Sequence, residues 1–103
     1  MILIVSISYN SSDNSPEMNE YRERVRPLLI KYGGERVSSA RIIDSQPDDP
    51  GKPAELHVTR FPDRDLFAAM RADPDYLALE DLRKVAMKDV QIHMAEEYVT
   101  FLD

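Results

Sequence analysis

Branched aliphatic residues crowd positions 2–9, Ile-Leu-Ile-Val-Ser-Ile-Ser-Tyr. This suits a first strand. A turn cluster follows at 10–15, and Ser15-Pro16-Glu17 reads as an N-cap, an N1 proline and a first-turn acid. Met18, Tyr21, Val25, Leu28, Leu29 and Tyr32 then recur at helical spacing, with Pro27 inside the run. A proline there removes one backbone hydrogen bond and is expected to kink the helix. Tyr32-Gly33-Gly34 closes it, because a glycine lets the chain leave with positive φ and turn back into an extended run.

Residues 35–44 read as a second strand and 54–61 as a third. Between them, 46–53 holds three prolines, a glycine and two aspartates, the composition of an exposed hairpin loop. Asp63 caps a short helix bearing Leu66, Phe67 and Met70. Asp73-Pro74-Asp75 restarts a helix carrying Tyr76, Leu77, Leu79, Leu82 and Val85, and 90–102 is a last, long strand. The order is βαββαβ. It predicts a ferredoxin-like α+β sandwich over 1–103, with a four-stranded antiparallel sheet in the order 4-1-3-2 and right-handed crossovers.

Alternation divides each strand into two faces. Leu3, Val5 and Ile7, Leu56 and Val58, and Val90, Ile92 and Met94 are the apolar sets and are expected under the helices. Ser6, Ser8, His57, Thr59, Gln91 and His93 are expected together on the bare face. The last strand would reach about 43 Å over its thirteen residues, far beyond its eight-residue neighbour. Its apolar parity shifts at Val99 and Phe101, which a bulge near Glu96-Glu97 would produce. The overhang and the bare face both call for a second subunit, so a homodimer is expected.

Composition narrows the function. One domain of 103 residues has an adequate but thin core. Lys and Arg number 13 against 19 Asp and Glu, a formal net charge of −6. That balance argues against nucleic acid, which needs a basic surface, and against an anionic membrane. The absence of cysteine excludes disulfides, a thiol nucleophile and thiolate metal sites. The apolar opening lacks a basic flank and is too short to span a bilayer, so a cytosolic protein is expected.

Several short pieces together are similar to a known family: Tyr21…Pro27-Leu28-Leu29…Tyr32-Gly33-Gly34, then Phe61-Pro62, then Asp73-Pro74-Asp75-Tyr76 with a following Arg83. Over roughly residues 2–95 the chain resembles an uncharacterised bacterial domain-of-unknown-function family of the dimeric α+β barrel superfamily. The resemblance implies a homodimer whose two sheets face each other to form a barrel, with the helices outside. It implies no activity. The wider superfamily includes antibiotic-biosynthesis monooxygenases, haem-degrading enzymes, muconolactone isomerases and chlorite dismutases, and none of their active-site patterns maps onto this chain residue by residue. The proline-rich 46–53 loop and the extended last strand depart from the closer pattern.

Candidate chemistry is sparse. His57 and His93, with the hydroxyls beside them, form one polar cluster capable of proton transfer near neutral pH, although no carboxylate is placed to complete a Ser-His-Asp arrangement. His57, His93 and Glu97 match no metal motif, and neither a metal nor a cofactor is expected. Tyr9, Tyr21, Arg60 and Tyr76 suit a helix–sheet cleft for a small organic molecule, with Arg60 reaching an acid group. The charges on 20–31 alternate in sign and read as a solvated helix face. The leading expectation is a cytosolic homodimer binding a small molecule. The alternatives are a cofactor-independent monooxygenase or isomerase of an aromatic or ketone-type substrate, and a structural or regulatory dimer without a ligand.

Overall fold

The computed structural model describes residues 1–9, 15–45 and 53–98. The elements are β1 (Ile2–Tyr9), α1 (Pro16–Lys31), β2 (Glu35–Arg41), β3 (Pro53–Phe61), α2 (Arg64–Ala72), α3 (Pro74–Leu77), α4 (Glu80–Ala86) and β4 (Val90–Glu96). The strands form one antiparallel sheet in the order β2-β3-β1-β4, the expected ferredoxin-like order read from its other edge. Among the described residues no helix is long and apolar enough to cross a membrane.

Local chemistry accounts for the helix boundaries. Ser15 Oγ accepts from Met18 N at 3.1 Å and Pro16 occupies the first turn of α1. The helix runs unbroken through Pro27 to Lys31. It ends in a Schellman motif: Gly34 N donates to Leu29 O at 2.7 Å and Gly33 N to Ile30 O at 3.2 Å. Of the two glycines, Gly33 carries the positive φ, 79°. Gly34 serves a different purpose, since a Cβ there would lie 2.9 Å from Phe61 Cζ.

The second helical region is more broken than the sequence pattern implies. Asp63 caps α2 through Leu66 N and Asp73 caps α3 through Asp75 N, each at 2.8 Å. The helix restarted at Asp73 stops after one turn, and α4 begins at Glu80 without a side-chain cap. The last strand is shorter than expected. It ends at Glu96 because β1 begins at Ile2, and Glu97 N donating to Met1 O at 3.2 Å is the final rung. The parity change at Val99 and Phe101 lies outside the described residues.

The two faces of the sheet are not the ones expected from alternation. Ile2, Thr59 and Phe61 are buried among Met18, Tyr21, Leu28, Phe67, Met70 and Leu79 of the helical layer. Register then puts Ile2, Ile4, Ser6 and Ser8 of β1 on the helix side with His57, Thr59 and Phe61 of β3. Leu3, Val5, Ile7, Leu56 and Val58 face the other way. Residues 90–94 keep their expected parity: Val90, Ile92 and Met94 pair with Ser8, Ser6 and Ile4 on the helix side. Gln91 and His93 therefore lie beside Ile7 and Val5 on the outer face, not beside Ser6 and Ser8. The expectation failed because β1 is aliphatic on both faces, so period two alone does not say which face the helices choose.

Candidate functional site

The inverted parity creates the site. Ser6 and Ser8 of β1, His57 of β3 and Val90 of β4 form the floor of a cleft between sheet and helices. Met18, Tyr21, Arg22 and Val25 of α1 form its roof, and Arg36 of β2 and Met87 complete the wall. The cleft holds about 70 Å³. Ser8 is buried to 2% exposure and Tyr21 to 8%, so the interior offers hydroxyls in an apolar shell.

Arg36 organises the polar side of this cleft. Its Nε donates to Thr59 Oγ1 at 3.1 Å, and its Nη1 lies 3.1 Å from both Ser39 Oγ and His57 Nδ1. A guanidinium can only donate, so Nδ1 of His57 is the acceptor and the imidazole carries its proton on Nε2. Ser39 Oγ also lies 3.0 Å from Nδ1. The Nε2 edge faces Glu55 Oε2 at 3.9 Å. Desolvation, then the neighbouring Arg22 guanidinium, lowers the proton affinity of Arg36.

A bulge makes this cluster possible. Arg36 stands opposite Thr59 and Ser39 opposite His57, with a register shift between Arg36 and Ser38. In a regular strand, positions 36 and 39 would point to opposite faces. The extra residue, Val37, brings both to the helix side.

The four residues read as one ligand site are not brought together. Tyr21 lines the cleft, and its hydroxyl lies 3.5 Å from that of Tyr76. Burial, reinforced by Tyr76, raises the Tyr21 pKa, so this phenol stays protonated. Tyr76 itself lines a separate recess with Arg71, Leu77, Glu80 and Arg83. Tyr9 and Arg60 are on the outer face, near opposite ends of β1. Tyr9 Oη donates to Gln91 Oε1 at 3.4 Å. Arg60 grips Glu97 with two bonds, Nε to Oε1 at 3.1 Å and Nη2 to Oε2 at 2.7 Å. That bidentate pair depresses the Glu97 pKa and raises that of Arg60.

His57 and His93 are separated by the sheet itself, so the polar cluster expected to hold both does not exist. His93 pairs with Val5 on the outer face, and Glu97 is engaged by Arg60. Among the described residues no group of three or more His, Asp or Glu side chains is arranged to hold a metal ion. Arg36 and Ser39, which periodicity did not single out, join His57 instead. The signal was present only as the polar run Arg36-Val37-Ser38-Ser39 directly after the glycine corner, and its bulge is invisible without the partner strand.

Known structures share this architecture. A protein of unknown function from Rhodopseudomonas palustris superposes with a TM-score of 0.68 at 14% identity, covering 96% of this chain and 83% of that one. An ethyl tert-butyl ether d (ethd) family protein from Bacillus halodurans gives 0.65 at 16% identity, over 95% of this chain and 99% of that one. A dabb family protein with a ferredoxin-like fold from Mesorhizobium loti gives 0.60 at 14% identity, over 95% and 98%. At such identities the likeness speaks for the fold alone. No curated protein matches the chain. The model of the domain-of-unknown-function family DUF1330 matches residues 4–98, nearly the whole of the chain, and the protein belongs to that family.

Proposed function

We propose that the protein is a cytosolic homodimer that binds a small organic molecule in the helix–sheet cleft of each protomer. One observation carries this reading: Ser6, Ser8 and His57 lie under the helices while Leu3, Val5, Ile7, Leu56 and Val58 lie on the outer face. A sheet packed only for stability would place them the other way round, because aliphatic side chains gain more than hydroxyls or an imidazole from burial under the helices. A cleft that presents polar groups to a guest accounts for the exchange. A ligand of modest size suits a 70 Å³ chamber, well below the ~300–1,000 Å³ of drug-sized pockets.

The outer face supports the dimer. From the sheet, the core draws on Ile2, Ile4, Phe61 and Val90, and on none of the outer aliphatic residues. A contiguous aliphatic surface of this kind is a favourable place for a second copy, and a specific dimer buries on the order of 1,600 Å² in total.

A ¹⁵N-resolved titration with a library of small polar organic fragments tests the binding reading. Binding is expected to move the amide signals of Ser6, Ser8, Tyr21 and His57 together. Ser6→Leu, which fills the floor of the cleft, is expected to remove those shifts while the remaining spectrum stays that of the folded protein. A library that leaves all four signals in place overturns the proposal.

A further inference from the structure

We infer that the ligand of this cleft is a small carboxylate held by the Arg36 guanidinium. The inference rests on the ligand-binding reading and narrows it to one chemical class. Arg36 lines the cleft at its solvent side, on the edge strand β2. Its protein partners are all neutral: Thr59, Ser39 and the Nδ1 acceptor of His57. Arginine carries five N–H donors, and these contacts engage Nε and Nη1. Among the described residues no side chain accepts from Nη2 of Arg36, and no carboxylate pairs with it.

Four other cations differ. Arg60 is neutralised by Glu97, Lys31 by Asp73, Arg24 by Glu20 and Lys84 by Glu80. Arg36 is instead held rigid by hydroxyls and an imidazole, which fix its plane without cancelling its charge. Arg22 lines the same cleft. A guanidinium that is fixed, partly desolvated and without a carboxylate partner among the described residues favours an anion with two oxygens in one plane. The hydroxyls of Ser6, Ser8 and Tyr21 can meet a second oxygen of the guest, and Met18, Val25, Met87 and Val90 can pack against its short carbon skeleton. A cleft of about 70 Å³ suits a short acid.

Matched probes test the class. Acetate, pyruvate and benzoate are titrated into the intact protein beside acetamide, pyruvamide and benzamide, following the ¹⁵N amide signals of the cleft and the Nε–H signal of Arg36. At least one acid is expected to bind ten-fold or more tightly than its amide and to shift the Arg36 Nε–H signal. Arg36→Gln is expected to abolish that preference, and Arg36→Lys to restore part of it. If amides bind as tightly as acids, or Arg36→Gln keeps the preference, the carboxylate inference fails and the cleft reading stands. If acids shift only surface signals while amides still enter, the inference fails in the same way. If no probe moves a cleft signal, and the fragment library moves none either, both readings fall.

Discussion

Tyr32 at the end of α1 donates its hydroxyl to Asp73 Oδ2 at 2.6 Å, joining two segments 41 residues apart in sequence. Lys31 Nζ reaches the same oxygen at 3.0 Å, and Asp75 N takes the other at 2.8 Å. The Asp73 side chain is 5% exposed, and it links the C-terminus of α1 to the start of α3. The Tyr32 bond, then the Asp75 amide, then Lys31 hold its pKa down from 3.8 to about 2.

That depression has a defined consequence for stability. A carboxylate whose folded pKa lies below its unfolded value stabilises the fold fully above the unfolded value. The contribution is lost as pH falls towards the folded one. Stability is therefore expected to drop between about pH 4 and pH 2 through Asp73. Asp73→Asn, which keeps a capping oxygen, should flatten that part of the urea midpoint against pH. Tyr32→Phe should shrink it. A wild-type slope that survives in Asp73→Asn would assign it to other acids.

The glycine corner separates two physical effects in adjacent residues. Gly33 sits at φ 79°, so Gly33→Val opposes its Cβ to the left-handed backbone and should cost about 1–2 kcal/mol. Gly33→Asn should be milder, since asparagine tolerates that region. Gly34 has no such torsion, yet Gly34→Ala would drive its Cβ to 2.9 Å from Phe61 Cζ and 3.2 Å from Leu29 O. Overpacking of that kind costs about 1–3 kcal/mol. Denaturant midpoints of the three variants check the ranking, and a Gly33→Val protein as stable as the parent would refute the torsional account.

The elements and their order were legible because their signals are local. Ser15, Asp63 and Asp73 cap the helices they precede, and Gly33 reverses the chain where the glycine pair stands. The candidate site was less legible because it depends on pairing. Arg36 and Ser39 share a face only through the bulge at Val37, which exists by virtue of β3. Tyr9 and Arg60 were assigned to the helix side from the aliphatic parity of their own strands, yet Leu3, Val5 and Ile7 face outward. Alternation identifies two faces. Deciding which one a helix covers takes the shape of the helix layer, and here that layer accepts serines and a histidine.

The neighbouring residues Val5 and Ser6 put both proposals at risk in one experiment. Val5 is opposite Val58 on the outer face, in the middle of the central strand β1, and Ser6 is opposite His57 on the cleft side. Val5→Glu places a charge between Val58 and His93, beside aliphatic residues that the core cluster does not include. If a second copy covers that face, the charge must be desolvated on association, which is strongly unfavourable for an unpaired carboxylate. Sedimentation at micromolar concentration should then show the mass falling from twice 11.8 kDa to the single-chain value, with fragment binding retained in the folded protomer. Ser6→Leu should do the reverse, leaving the mass at the dimer value and removing binding. A wild-type protein that sediments as a monomer rejects the dimer outright. A Val5→Glu variant that stays dimeric, in a His93→Gln background that removes the imidazole opposite it, moves the interface elsewhere, because a glutamate at the centre of a buried aliphatic sheet face then has only Leu3, Ile7 and Val58 beside it.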